Sequence, residues 1–276
     1  MTRWAAFAGV TLAVLVLLLL LARASTHALS GGGGFITRRE RRWLDGLEDG
    51  ATHLDVSEAP KPREMTPAES TLAPADSVPT LALLANVAVS HALFALLLLG
   101  GIWLTGVPLP ALGVSADPLS TGVPAVVLGI ALGLALSFAN TLAGGLARAF
   151  GADPSEELRG LLAPQSAVGW IVLLVVVLPI IAGFEELLFR AALVGVFAVG
   201  FEFSPWLLAV LSSVAFAAGH GAQGPLGVLV TGMLGFVLAV AFVLTNSLLV
   251  VVVAHYVVNA VEFVVFEGVG WEPFGT

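Results

Sequence analysis

Apolar runs separated by short polar stretches dominate the chain, at 4–22, 81–104, 122–146, 167–200, 205–219, 226–244 and 248–266. A helix rises about 1.5 Å per residue and the hydrocarbon core of a bilayer is about 30 Å thick, so such runs predict membrane helices. The pattern predicts an all-α, polytopic membrane bundle of about seven to eight transmembrane helices. The higher count applies if the run 167–200 is kinked or divided at Pro179 and Gly183. The first run follows Arg3 and is expected to be a retained helix. Ala22-Arg23-Ala24 has the small-x-small form of a signal cleavage site, but the run is longer than the usual apolar core of a signal.

Three segments follow from this reading: an N-terminal transmembrane helix or uncleaved signal anchor at 1–22, a polar loop at 23–79 and an intramembrane domain at 80–276. The loop opens with Gly31 to Gly34 and the basic cluster Arg38-Arg39-Glu40-Arg41-Arg42, then becomes rich in Pro and acids. It is expected to be disordered, with one short helix near 38–47. The cluster would suit an anionic lipid surface, but the favoured reading is a solvated charge run that simply fixes topology.

Composition narrows the chemistry. With 58% hydrophobic and 11% charged residues, the chain is too apolar for a soluble domain and is expected in the cell membrane as a multi-pass protein. The absence of cysteine rules out disulfides, thiolate chemistry and cysteine-held zinc or iron-sulfur clusters. A net charge of -8 speaks against nucleic acid as a partner, because phosphate neutralisation needs clustered Lys and Arg.

Charge inside one apolar run then stands out. Gly183-Phe184-Glu185-Glu186-Leu187-Leu188-Phe189-Arg190 places two carboxylates and a guanidinium in the run 167–200. An ionisable residue near the middle of a membrane helix costs about 2.5–3.5 kcal/mol on insertion scales. Residues four apart share a helix face, so Glu186 and Arg190 are expected to pair, whereas Glu185 points about 100° away and lacks a local countercharge. A buried, locally unpaired carboxylate is suited to proton transfer, which makes Glu185 the first candidate for catalysis. The competing reading is a structural Glu-Arg pair joining helices. Asp153-Pro154-Ser155-Glu156-Glu157-Leu158-Arg159 has a similar composition but the signals of a helix start, and is expected to form a short interfacial helix.

Two further polar sets lie in the C-terminal half: Phe216-Ala217-Ala218-Gly219-His220 and His255-Tyr256-Val257-Val258-Asn259. Glu185 precedes the turn at 201–204 by about as many residues as His220 follows it. At about 1.5 Å per residue both sit roughly 25 Å from that turn, at matching depth in antiparallel neighbours. His255 and Asn259, four apart, share a face. The set suits hydrolysis: Glu185 takes a proton from water, His220 holds that water, and His255 with Asn259 donates to an oxyanion. Zinc held by Glu185, His220 and His255 is the variant, unsupported by any His-Glu-x-x-His. His91 and Asn140 are read as lone polar residues that hydrogen-bond a neighbouring helix.

These residues resemble the CPBP intramembrane proteases, which include the CAAX prenyl endopeptidases and the bacteriocin-processing or abortive-infection proteins. Glu185-Glu186-x-x-x-Arg190, Phe216-x-x-x-His220 and His255-x-x-x-Asn259 match the three motifs of that family in order. The resemblance covers about 80–266 and implies a helical-bundle endopeptidase acting on a membrane-associated protein or peptide. Glu185 and His220 are implied to activate water, and His255 and Asn259 to stabilise the oxyanion. Glu186, Arg190 and Phe216 are implied as supporting residues. The family has been described both as metalloproteases and as glutamate proteases, and the reading favoured here has no cofactor. Ala191 departs from the Gly that many members have after the Arg. Outside this class, a non-catalytic immunity or scaffold protein would retain the fold and bind through the polar site. A transporter would be expected to show an inverted repeat, and none is visible.

Orientation follows from the basic residues. Arg23, Arg38, Arg39, Arg41, Arg42, Lys61 and Arg63 lie in 23–79, and Arg148 and Arg159 lie between the third and fourth runs. The positive-inside rule then places the N-terminus outside and the loop 23–79 and the C-terminus in the cytoplasm. A thiol introduced at Ser57→Cys should therefore resist an impermeant reagent in whole cells and react once they are permeabilised. Labelling of intact cells would place the loop outside.

Overall fold

Apolar length decides the architecture. The computed structural model describes residues 2–31, 80–149 and 157–271, and among these there is no strand. The helices are α1 (Trp4–Gly31), α2 (Thr80–Thr105), the short α3 (Pro118–Thr121), α4 (Val123–Ala149), α5 (Glu157–Leu162), α6 (Ala167–Phe201), α7 (Pro205–Gly219), α8 (Gly224–Thr245) and α9 (Leu248–Gly268). Six of them, α1, α2, α4, α6, α8 and α9, are long and apolar enough to cross a membrane. The run 205–219 is the exception: α7 has 15 residues and reaches only about 22 Å. The chain is a multi-pass, membrane-embedded helical bundle, and its outer surface is correspondingly apolar, with Trp103, Phe138 and Leu96 exposed.

Most of the expected polar loop 23–79, including the helix near 38–47, lies outside the described residues, as do residues 150–156. Where the loop is described it differs from expectation, because α1 continues past residue 22 to Gly31. Ala22, Ala24, Ala28 and Leu29 are strong helix formers, and no Pro interrupts them. Residues 1–23 and 79–276 form one compact unit, in which Phe7 and Val14 of α1 are buried.

The run 167–200 is one helix, neither broken nor divided. Proline lacks an N–H and its ring crowds the carbonyl four residues earlier, so it normally kinks a helix. Here the turns at Leu173–Val177, just before Pro179, are of the wide π type, which relieves that crowding without ending the helix. A second wide stretch, Leu187–Val196, follows Glu185 and Glu186 directly and is buried throughout. Ser212 on α7 donates to the Phe189 carbonyl at 2.5 Å, tying α7 to this stretch. The turn to α7 falls where the sequence puts it: Glu202 adopts the left-handed conformation, and Ser204 caps α7 by accepting from the Leu207 amide.

α9 lies along α4, and two small residues set their separation. A Cβ on Gly129 would fall 2.8 Å from the Val250 carbonyl oxygen, and one on Gly133 would fall 2.7 Å from that of Ala254. Four residues apart on α4, the two glycines let backbone approach backbone, the usual device where lipid offers no hydrophobic drive to associate. Further along the same pair, Asn140 donates to Glu262, a bond between neighbouring helices of the kind expected for Asn140. At the end of α9, Arg159 of α5 donates to Glu267 at 2.8 Å and lies over the Phe266 ring, so the described part of the segment 153–159 is helical and docked.

Gly133→Val would drive a branched side chain into the Ala254 carbonyl and Val257. Overpacking of this kind costs about 1–3 kcal/mol. The variant should melt several degrees below wild type in detergent, followed by loss of monodispersity on heating. An unchanged melting temperature would refute the close-approach reading.

Candidate active site

The ionisable residues of α6 do not share one environment. Glu186 is fully buried, and its Oε1 accepts from Arg190 Nη1 at 2.7 Å, the pairing expected of residues four apart. Either winding preserves that alignment, since four residues turn through about 400° in an α-helix and only somewhat less in wider turns. The same oxygen accepts from His255 Nδ1 of α9, also at 2.7 Å. Arg190 Nη2 donates to the Gly235 carbonyl of α8 at 2.8 Å, and the guanidinium lies 4.7 Å over the Phe216 ring of α7. Gly235 is required at this crossing, because a Cβ there would meet Phe216 at 2.9 Å and Arg190 Nη2 at 3.3 Å. Glu186 and Arg190 thus join four helices, and Glu186 also orients His255.

Glu185, one residue earlier, faces another way. It is buried, and its Oε2 has no hydrogen-bond partner. His255 Nε2 lies 3.6 Å from Oε2, and His91 Nε2 of α2 lies 3.7 Å from Oε1. Both gaps exceed the length of a direct hydrogen bond. Glu185 therefore lacks a partner on its own helix, as the sequence implies, but has imidazoles on two others.

The three histidines around the site are fixed alike. His91 Nδ1 bonds the Val87 carbonyl at 2.8 Å, His220 Nδ1 bonds the Phe216 carbonyl at 2.8 Å, and His255 Nδ1 bonds the Glu186 carboxylate. Carbonyl and carboxylate oxygens only accept, so each Nδ1 carries a proton and each Nε2 is left for other work. His220 stands at the C-cap of α7, where the helix gives way to the turn Gly221–Gln223, and its ring lies 4.6 Å from that of Phe216. It interacts electrostatically with Glu185 but makes no ion-pair contact with it. Asn259, on the His255 face of α9, is half-buried and makes no side-chain hydrogen bond among the described residues.

The residue that sequence reasoning missed is His91. Its Nδ1 bonds its own helix, its Nε2 faces Glu185 on the neighbouring α6, and its ring stands edge-on to Phe184 at 5.4 Å. No motif surrounds it, and the only signal in the sequence was a histidine within an apolar run. Imidazole and carboxylate are acceptable zinc donors. Among the described residues, however, no three His, Cys, Asp or Glu side chains are gathered as a metal site. As arranged, Glu185, His220 and His255 do not form a three-ligand cage.

Residues 165–261 match the family model described as type II CAAX prenyl endopeptidase Rce1-like. The matched segment contains Glu185, Glu186, Arg190, Phe216, His220, His255 and Asn259, and the match accords with the CPBP intramembrane proteases. At family level it points to a protease of the CAAX type, which would act on membrane-associated substrates. Searches of curated proteins and of solved structures found no match to the chain.

Removing one member of a buried ion pair costs about 3–5 kcal/mol, because the other charge is left uncompensated. Arg190→Met and Glu186→Gln should each sharply lower the yield of folded, monodisperse protein, whereas Glu185→Gln should leave it unchanged. Equal yields from all three variants would show that Glu186 and Arg190 do not support the bundle.

Proposed function

We propose that the bundle is an intramembrane endopeptidase of the CAAX type, which hydrolyses a peptide bond of a membrane-associated protein or peptide with water activated at Glu185. One observation carries the reading: a buried carboxylate with an unbonded oxygen, set between the Nε2 atoms of His91 and His255 inside a membrane bundle. Burying such a group without a bonded partner is costly, and chemistry at that group is the return.

Glu185 takes a proton from water as the water oxygen attacks the peptide carbonyl carbon. His220, its Nε2 left available by the bond to the Phe216 carbonyl, holds the water. The carbonyl oxygen becomes an oxyanion and receives hydrogen bonds from His255 and Asn259. For His255 that role requires both ring nitrogens to carry protons, and the Glu186 carboxylate is the matching countercharge. Collapse of the intermediate breaks the C–N bond, and the proton held by Glu185 passes to the leaving nitrogen. Base, water-holding group and oxyanion donors all come from the chain itself, so the reading requires no cofactor.

The test uses purified protein and a quenched fluorescent peptide with a prenylated CAAX terminus. Glu185→Gln should abolish turnover. His255→Ala and Asn259→Ala should each lower kcat by about 10²-fold or more, the usual effect of losing an oxyanion donor. Exhaustive dialysis against chelator should leave activity unchanged. Full activity in Glu185→Gln, or no turnover by wild type, would defeat the catalytic reading in favour of a binding or scaffold role. Activity lost on chelation and restored by zinc would defeat only the metal-free mechanism.

A further inference from the structure

His91 lies outside the matched segment and outside all three motifs, yet its Nε2 is as close to Glu185 as that of His255. We propose that His91 is a further catalytic residue, which together with Glu185 holds the hydrolytic water. The inference rests on the endopeptidase reading above and gives His91 the hydrogen of the water that the motif assigns to His220.

The Val87 carbonyl can only accept, so Nδ1 of His91 carries a proton, and in the neutral ring Nε2 is a bare acceptor. Glu185 Oε1, 3.7 Å away, is an acceptor as well. Two acceptors facing each other beyond bonding distance are satisfied by a molecule that donates to both. Water has two O–H groups and spans such a gap with bonds of about 2.8 Å. With one hydrogen on Glu185 and the other on His91, the water oxygen turns its lone pairs away from both groups and toward the substrate. The hydrogen on Glu185 is the one transferred during attack.

The geometry of His91 suits a fixed acceptor. Its ring is pinned at Nδ1 by its own helix and braced edge-on against Phe184, so Nε2 has little freedom. Phe184 is also stacked on Phe94 of α2, which locks α2 to α6 beside the site. His220, to which the water-holding task falls by motif, has no nitrogen this close to the Glu185 carboxylate, whereas His91 Nε2 stands 3.7 Å from Oε1. Nothing else on α2 has a comparable claim: Ser90 bonds the Asn86 carbonyl on its own helix at 2.7 Å.

A pair of substitutions separates catalysis from packing. Asparagine places its amide nitrogen near the Nδ1 position and can retain the bond to Val87, but supplies nothing at Nε2. Glutamine places an amide oxygen near Nε2 and can still accept from water. In the prenylated CAAX peptide assay, His91→Asn should fold like wild type and lose about 10-fold or more in kcat with KM little changed, less than the about 10²–10⁴-fold contributed by a group that itself transfers the proton. His91→Gln should recover a substantial part of that loss. Wild-type kcat in His91→Asn, or activity that follows the melting temperature across both variants, would reduce His91 to a packing residue. If His91→Asn is impaired while Glu185→Gln remains active, the water is not activated at Glu185 and the endopeptidase reading fails with this one. An inactive Glu185→Gln beside a fully active His91→Asn would overturn the His91 proposal alone.

Discussion

Everything at the centre of this bundle depends on one shared oxygen. Glu186 Oε1 accepts from a guanidinium on its own helix and from an imidazole on α9, both at 2.7 Å. In water, two donors on one carboxylate oxygen would be an ordinary arrangement. Within an apolar bundle each partner left alone would be a stranded charge, so the three groups stabilise one another or none of them is tolerable. Arg190 extends the connection to the α8 backbone through the Gly235 carbonyl and to α7 through the Phe216 ring. The orientation of His255 is thus set by the same group that makes Arg190 acceptable, and positioning of the site and cohesion of the fold share one origin.

Around that centre, adjacent carboxylates are given different surroundings. Glu186 Oε1 accepts from two strong donors at 2.7 Å and leaves its Oε2 unbonded, whereas Glu185, one residue away, has imidazole nitrogens no nearer than 3.6 Å. The difference comes from helical angle: a step of about 100° turns Glu186 onto Arg190 and Nδ1 of His255, and Glu185 between the Nε2 atoms of His255 and His91. The wide turns from Leu187 onward keep Arg190 on the Glu186 face, so the asymmetry persists through the irregular winding.

What the sequence made legible was whatever depends on spacing along one helix. The apolar runs located the helices, and the interval of four paired Glu186 with Arg190 and put His255 with Asn259. Counting residues from the turn set α7 beside α6. Contacts set by three-dimensional closure were not legible. The bond between His255 and Glu186 joins residues 69 positions apart, and the same oxygen is already occupied locally by Arg190, so nothing in the motif demands a second donor. His91 was misjudged because its significance lies in how α2 is rotated against α6, set by Phe94 and Phe184 packing and not by any period in α2 itself. The run at 167–200 stayed whole because wide turns absorbed Pro179, a local adjustment that a proline alone does not announce.

The glycine seam between α4 and α9 bears on how a peptide reaches the site. Where Gly129 and Gly133 bring α4 onto the Val250 and Ala254 carbonyls, even a methyl group would collide, so no extended chain can pass between these two helices. Over this stretch α4 is closed against α9, on the turns of α9 that precede His255. Under the proposed function, a peptide bound for Glu185 therefore reaches it by a route other than this seam.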